Sequence, residues 1–137
     1  MRSLTALWAI GYPPAEERRL ITALDAIRLE VHDLDRSMAF YVDGLRFELA
    51  EPPGGSPPQA AVRAGGVTVV LCEVPSARGR RAAGAGFRLD VLSLDAYQQA
   101  LLARGVRTSP SADDHGGRQF LVRDPDGYVW QFREAPA

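Results

Sequence analysis

Two arginine–acid pairs recur at an offset of 60 residues, Arg28 with Glu30 and Arg88 with Asp90. Within each pair the spacing is two, so on a strand both side chains point to one face. Guanidinium forks suit a carboxylate, a phosphate or a planar polar ligand. The same four side chains can instead neutralise one another as structural ion pairs, Arg28 with Glu30 or Asp90 and Arg88 with the other acid. Buried pairs of that kind are costly to build and add little net stability. By position Glu30 and Asp90 are the candidates for acid–base work, although neighbouring arginines depress carboxylate pKa values and weaken them as bases.

The rest of the reactive inventory is small. There are two histidines, in His32-Asp33 and Asp113-Asp114-His115. Adjacent side chains do not converge readily on a metal ion, and no helical His-x-x-x-His spacing supports either cluster. Both read as polar loop residues, with His115 just before Gly116-Gly117-Arg118. The single cysteine, Cys72, can form neither an intrachain disulfide nor a thiolate cluster, and no partner base for it is evident. All 16 basic residues are arginine, which excludes Schiff-base chemistry and a lysine general base.

With 137 residues, 46 % hydrophobic and 24 % charged, the chain suits one soluble domain with one core. A net charge of −1 gives no field that would favour nucleic acid or an anionic membrane. The apolar run within Met1 to Ile10 is too short for a span, and no convincing cleavage site follows it. A lone cysteine suits a reducing compartment. The expectation is a cytoplasmic protein with no nucleic-acid or membrane partner.

The elements that must position these residues are repeated. At an offset of 60, Ala26–Val31 falls on Gly86–Val91, Leu34-Asp35 on Leu94-Asp95, and Gln59–Arg63 on Gln119–Arg123. With a one-residue slip, Gly66–Glu73 falls on Gly127–Glu134. In the first copy Ile27, Leu29 and Val31 alternate with polar or small residues, the period of a half-buried strand. Asp33 to Ser37 supplies N-cap chemistry for a helix through Met38, Phe40 and Tyr41 that ends near Gly44. The pattern then predicts a strand over Arg46–Glu51, a loop over Pro52–Pro58, and a hairpin of Gln59–Ala64 with Val67–Val74 turning at Gly65-Gly66. The second copy predicts strand Phe87–Val91, helix Leu94–Ala103 stopped by Gly105, and strands at Val106–Ser109, Arg118–Arg123 and Tyr128–Arg133. The turn Asp124-Pro125-Asp126-Gly127 joins the last two. A short helix within Pro13–Leu24 has no counterpart in the second copy. The organisation is an N-terminal extension (1–22) and a single domain (23–134), comprising module one (23–75), a linker (76–83) and module two (84–134). Trp8 and Tyr12, in the extension, are expected on a sheet edge, against a second subunit, or as a lid.

Val31-His32-Asp33-Leu34-Asp35-Arg36-Ser37-Met38-Ala39-Phe40-Tyr41 resembles the opening signature of the vicinal oxygen chelate superfamily, the glyoxalase/bleomycin resistance/dioxygenase type. Arg123-Asp124-Pro125-Asp126-Gly127-Tyr128 resembles its closing turn, and the likeness spans Ala23 to Glu134. The resemblance implies an α+β fold of two tandem βαβββ modules, with a curved sheet around a central groove and the helices outside. Family members bind a small molecule in that groove, and many hold a divalent metal. Their ligands lie seven residues before the helix-opening position of each copy and four residues after the turn glycine. Here those positions are Ala26, Gly86, Val70 and Gln131. Methyl, hydrogen and isopropyl groups donate nothing to a metal, and one neutral amide is a weak ligand. No metal or other cofactor is therefore expected.

If Ile27, Leu29 and Val31 pack on the helix, then Ala26-Arg28-Glu30 and Gly86-Arg88-Asp90 face the groove, joined by Gln131 and Arg133, while Tyr128, Trp130 and Phe132 face the helix side. The expected ligand-binding residues are Arg28, Glu30, Arg88, Asp90, Gln131 and His115. The expected function is metal-independent binding of a small polar or anionic molecule by a homodimer. The alternatives are a family enzyme (lyase, isomerase or dioxygenase) with an atypical or displaced metal site, and a partner-binding domain with a filled groove.

Overall fold

The structure, a computed structural model, describes residues 15–77, 85–114 and 117–136. Trp8, Tyr12, most of the linker and His115 lie outside the described residues. After a short helix α1 (Ala15–Arg18), the first module runs β1 (Ala26–Val31), α2 (Leu34–Met38), β2 (Glu48–Gly54), β3 (Gln59–Ala64) and β4 (Val67–Glu73). Helix α2 continues as a wider π-helical turn over Ala39–Gly44. The second module runs β5 (Gly86–Val91), α3 (Leu94–Ala103), β6 (Ala112–Asp114), β7 (Gly117–Arg123) and β8 (Val129–Glu134). Each module is a four-stranded sheet, ordered β1-β4-β3-β2 and β5-β8-β7-β6. The first strand pairs parallel to the last in both, and the other neighbours are antiparallel.

The duplication extends to the helix starts. The Asp33 carboxylate accepts from Arg36 N, and the Ser93 hydroxyl accepts from Ala96 N, as N-caps do. In addition, Glu73 at the end of β4 accepts from Leu34 N at 2.9 Å, and Glu134 at the end of β8 accepts from Leu94 N at 3.2 Å. An acid from the last strand thus satisfies an orphan N–H of its module's helix, where the helix dipole also favours negative charge.

Two regions depart from expectation. β2 begins at Glu48 and runs on through Pro52 and Pro53 to Gly54. It is an edge strand with irregular register, where prolines are tolerated because no ladder N–H is needed on the free side. No strand forms over Val106–Ser109, and the fourth strand is Ala112–Asp114 instead. Ser109 is tied to Leu121 by Ser109 N to Leu121 O and Leu121 N to Ser109 Oγ, while Thr108 Oγ1 accepts from Gln98 Nε2. That segment's polar groups are therefore taken up by Gln98 and Leu121 and not by a regular ladder. The short helix expected within Pro13–Leu24 is present as Ala15–Arg18.

One hydrophobic core joins the modules. Leu29, Val31, Tyr41, Leu45, Phe47, Val62, Val69 and Leu71 meet Leu94, Leu101, Phe120, Val122, Trp130 and Phe132 in a single cluster. Trp130 is its hub, with ring centroids 5.6 Å from Tyr41, 5.3 Å from Phe47 and 4.8 Å from Phe87. Polar contacts also cross between the modules. Tyr97 Oη donates to Leu45 O at 2.8 Å, and Arg104 donates from Nε and NH2 to Gly44 O at 3.0 and 2.8 Å.

Candidate functional site

Because every second residue of β1, β3, β4, β5, β7 and β8 packs in or against that core, the alternate residues occupy the opposite sheet face. Residues paired in register share a face, so the pairings define a three-by-three array in each module. In module one the rows across β1, β4 and β3 are Ala26–Thr68–Arg63, Arg28–Val70–Ala61 and Glu30–Cys72–Gln59. In module two the rows across β5, β8 and β7 are Gly86–Val129–Arg123, Arg88–Gln131–Leu121 and Asp90–Arg133–Gln119.

The arrays match in a small residue at 26 and 86, in arginines at 28 and 88 and at 63 and 123, in acids at 30 and 90, and in glutamines at 59 and 119. Of the expected site residues, Arg28 and Glu30 stand together in the first array, and Arg88, Asp90 and Gln131 in the second. Trp130 and Phe132 are buried in the core, as their alternation requires. Arg63 and Arg123 were missed from the expected set. The signal lay in the matching segments Gln59–Arg63 and Gln119–Arg123, whose even spacing puts glutamine and arginine on one face.

The charges are arranged differently in the two arrays. In module one Arg28 NH1 lies 3.6 Å from Glu30 Oε2 on the same strand, with the two side chains 58 % and 38 % exposed. In module two Asp90 pairs not with Arg88 but with Arg133, which donates from Nε to Oδ1 at 3.0 Å and from NH2 to Oδ2 at 3.2 Å. Those hydrogen bonds, with the positive charges of Arg133 and Arg88 behind them, hold the Asp90 carboxyl below its ordinary range. A carboxylate so held is a poor base. The pairing expected between Arg88 and an acid is not formed among the described residues.

Whether a metal fits depends on the donors present. Ala26, Val70 and Gly86 offer no lone pair, and Gln131 offers one amide oxygen. Among the described residues no three His, Cys, Asp or Glu side chains come together. The donor set at the family's positions does not fit a divalent cation. Packing does not demand the glycine, since a Cβ at Gly86 would meet only Val129 O, at 3.7 Å. Cys72 is buried, its Sγ 3.5 Å from Gln59 Oε1.

A second polar cluster ties the modules together away from these faces. Tyr41 donates its hydroxyl hydrogen to Asp124 Oδ2, and Trp130 Nε1 donates to Tyr41 Oη at 3.0 Å. Asp124 Oδ1 accepts from Asp126 N and Tyr128 N at 2.9 and 2.8 Å. Asp126 Oδ1 in turn accepts from His32 N at 2.9 Å. Burial pushes the Asp124 carboxyl up, and burial and then the Asp124 charge push the Tyr41 hydroxyl above the ordinary tyrosine range. Tyr41, Trp130 and Asp124 are buried and each is hydrogen-bonded within the cluster, so it reads as structural.

Among the described residues no helix is long and apolar enough to cross a membrane. No protein of curated function matches the chain. Solved structures do. TnmS3, an antibiotic binding protein from Streptomyces sp. CB03234, is 26 % identical with a TM-score of 0.67, over 85 % of this chain and 98 % of that one. The bleomycin-binding protein from Streptomyces verticillus, solved with copper(II)-bleomycin, is 24 % identical with a TM-score of 0.66, over 85 % and 99 %. The fosfomycin resistance protein FosX from Listeria monocytogenes is 21 % identical with a TM-score of 0.67, over 85 % and 95 %. The last two likenesses are of fold alone. The sequence profile of the Glyoxalase/Bleomycin resistance protein/Dioxygenase superfamily matches residues 23–132, and the chain belongs to that superfamily.

Proposed function

We propose that this chain is a metal-independent, small-molecule-binding member of the superfamily, acting as a cytoplasmic homodimer on a polar or anionic ligand held in a groove lined by the two sheet faces. Residues 23–134 form the binding unit, with 1–22 as an extension to it. The observation that carries the reading is the occupation of three of the family's metal-ligand positions by Ala26, Val70 and Gly86, with only the weak donor Gln131 at the fourth, beside Arg28 and Arg88, which remain exposed. A site without a Lewis acid has no agent for the family's metal-assisted steps, whereas guanidinium forks on a sheet suit recognition of oxyanions. The similarity to TnmS3, an antibiotic binding protein, supports binding as the mode.

Elemental analysis of protein purified without chelator tests the first half of this reading. Stoichiometric Fe, Mn, Ni or Zn would overturn it in favour of an enzyme with a displaced metal site. A thermal-shift screen of small molecules against the wild type, Arg28→Ala and Arg88→Ala tests the second half. Hits that stabilise all three proteins equally would place the ligand elsewhere. Sedimentation at micromolar concentration reads the dimer.

A further inference from the structure

The two arrays differ in which residue neutralises the acid. In module one the β4 neighbour of Glu30 is Cys72, which brings no positive charge, and Arg28 turns along its own strand to Glu30. In module two the β8 neighbour of Asp90 is Arg133, which forks onto it. Asp90 is thereby compensated, and Arg88 has no ion-pair or hydrogen-bond partner among the described residues. The outer strands repeat the contrast. Glu48 of β2 stands in register beside Arg63. The shorter β6 pairs only with Gly117, Arg118 and Gln119, so no described strand brings an acid beside Arg123. The second face holds Arg88, Arg123 and Arg133 against Asp90. Between the arginines lie half-buried Gln131, half-buried Val129 and exposed Leu121, and at Gly86 a Cβ would make only a van der Waals contact with Val129 O at 3.7 Å.

We propose that the second module's sheet face is the anion half of the site and takes a small amphipathic organic acid. The Arg88 fork grips the carboxylate, the Gln131 amide donates beside it, and Leu121 and Val129 support the apolar body. Arg123 adds attraction at the rim. Arg133 is a positioning residue that keeps Asp90 occupied and Arg88 available. This inference rests on the small-molecule reading above. A guanidinium meets a carboxylate through two parallel hydrogen bonds, and an arginine already committed to an acid must lose that pair before it can bind another. That cost falls on Arg28 and not on Arg88.

Titration of the full chain with naphthoate, its neutral alcohol naphthalenemethanol, and its cationic amine naphthylmethylammonium tests the assignment. Naphthoate should bind more tightly than the alcohol or the amine, and Arg88→Gln should weaken it about tenfold while leaving the alcohol unchanged. Arg28→Gln should weaken it less. Arg133→Gln should also weaken naphthoate, because Asp90 then captures Arg88, and adding Asp90→Asn to that variant should restore binding. A merely structural role for Arg133 would not be rescued in this way. If the alcohol or amine binds as well as naphthoate, or Arg88→Gln has no effect, the anion assignment fails while small-molecule binding stands. Inorganic phosphate binding as tightly as naphthoate would remove Leu121 and Val129 from the account. If none of the probes binds, the underlying reading fails as well.

Discussion

Tyr41, from the helical segment of the first module, donates its hydroxyl hydrogen to Asp124 in the β7–β8 turn of the second. The bond crosses 83 positions of sequence and closes a buried chain from Trp130 through Tyr41 to Asp124. Removing the hydroxyl leaves a buried carboxyl short of a donor and Trp130 Nε1 short of an acceptor. Unsatisfied groups of this kind cost about 1–3 kcal/mol each. Tyr41→Phe should therefore lower stability by about 2–4 kcal/mol in urea unfolding, with no change in the affinity of any ligand on the sheet faces. A loss below about 0.5 kcal/mol would show that the chain of bonds is not coupled to folding.

The same carboxyl sets a pH dependence. Asp124 is 6 % exposed, and burial raises its pKa in the folded protein above the unfolded value of about 4. A raised carboxyl favours the protonated folded state, so its contribution is complete below the unfolded value and is lost as pH rises through the folded one. The difference in stability between wild type and Asp124→Asn should thus shift against the wild type as pH increases from about 4. Asp90 and Asp95, whose pKa values are lowered by Arg133 and Arg118, act in the opposite sense. They are common to both proteins and cancel in the difference. A difference that is flat with pH would place the Asp124 titration elsewhere.

How far the fold was legible depended on whether local chemistry or neighbours decided it. Ile27, Leu29 and Val31 alternate without interruption, and β1 is where that alternation puts it. Helix Leu94–Ala103 has Ser93 at one end and Gly105 at the other, and its bounds agree residue for residue. Val106–Ser109 failed because Gln98 and Leu121, distant in sequence, take up its polar groups. Pro52 and Pro53 argue for a loop on local grounds, yet an edge strand can contain them. In the candidate site, the offset of 60 put Arg28 and Arg88 on equivalent positions, and their different partners were hidden. Those depend on Cys72 and Arg133, which register alone brings beside Glu30 and Asp90.

Trp130 tests how strongly the two modules fold together. It is buried in contact with Tyr41 and Phe47 from the first module and Phe87 from its own. Truncating a core tryptophan costs about 3–5 kcal/mol, a large part of the about 5–15 kcal/mol that holds a domain together. Trp130→Ala should lower or abolish the transition of the whole chain at once, seen in calorimetry as a single melt at reduced temperature or none. If instead one module melts early and the other keeps its transition, the shared core is not what couples them.

Two glycines should respond to alanine with opposite signs. Gly105 follows the last turn of α3 at φ +82°, with nothing within 4 Å of where a Cβ would stand. The only penalty there is the left-handed backbone, about 1 kcal/mol, so Gly105→Ala should lower the melting temperature. Gly86 lies on β5 with ordinary φ, and a Cβ would make only a van der Waals contact with Val129 O at 3.7 Å. Alanine there restricts the unfolded chain and strains nothing, so Gly86→Ala should raise stability by about 0.4–1 kcal/mol. The methyl group would also narrow the open edge beside Arg88, and naphthoate affinity should fall while folding improves. Loss of stability in Gly86→Ala would mean that the strand itself requires the glycine.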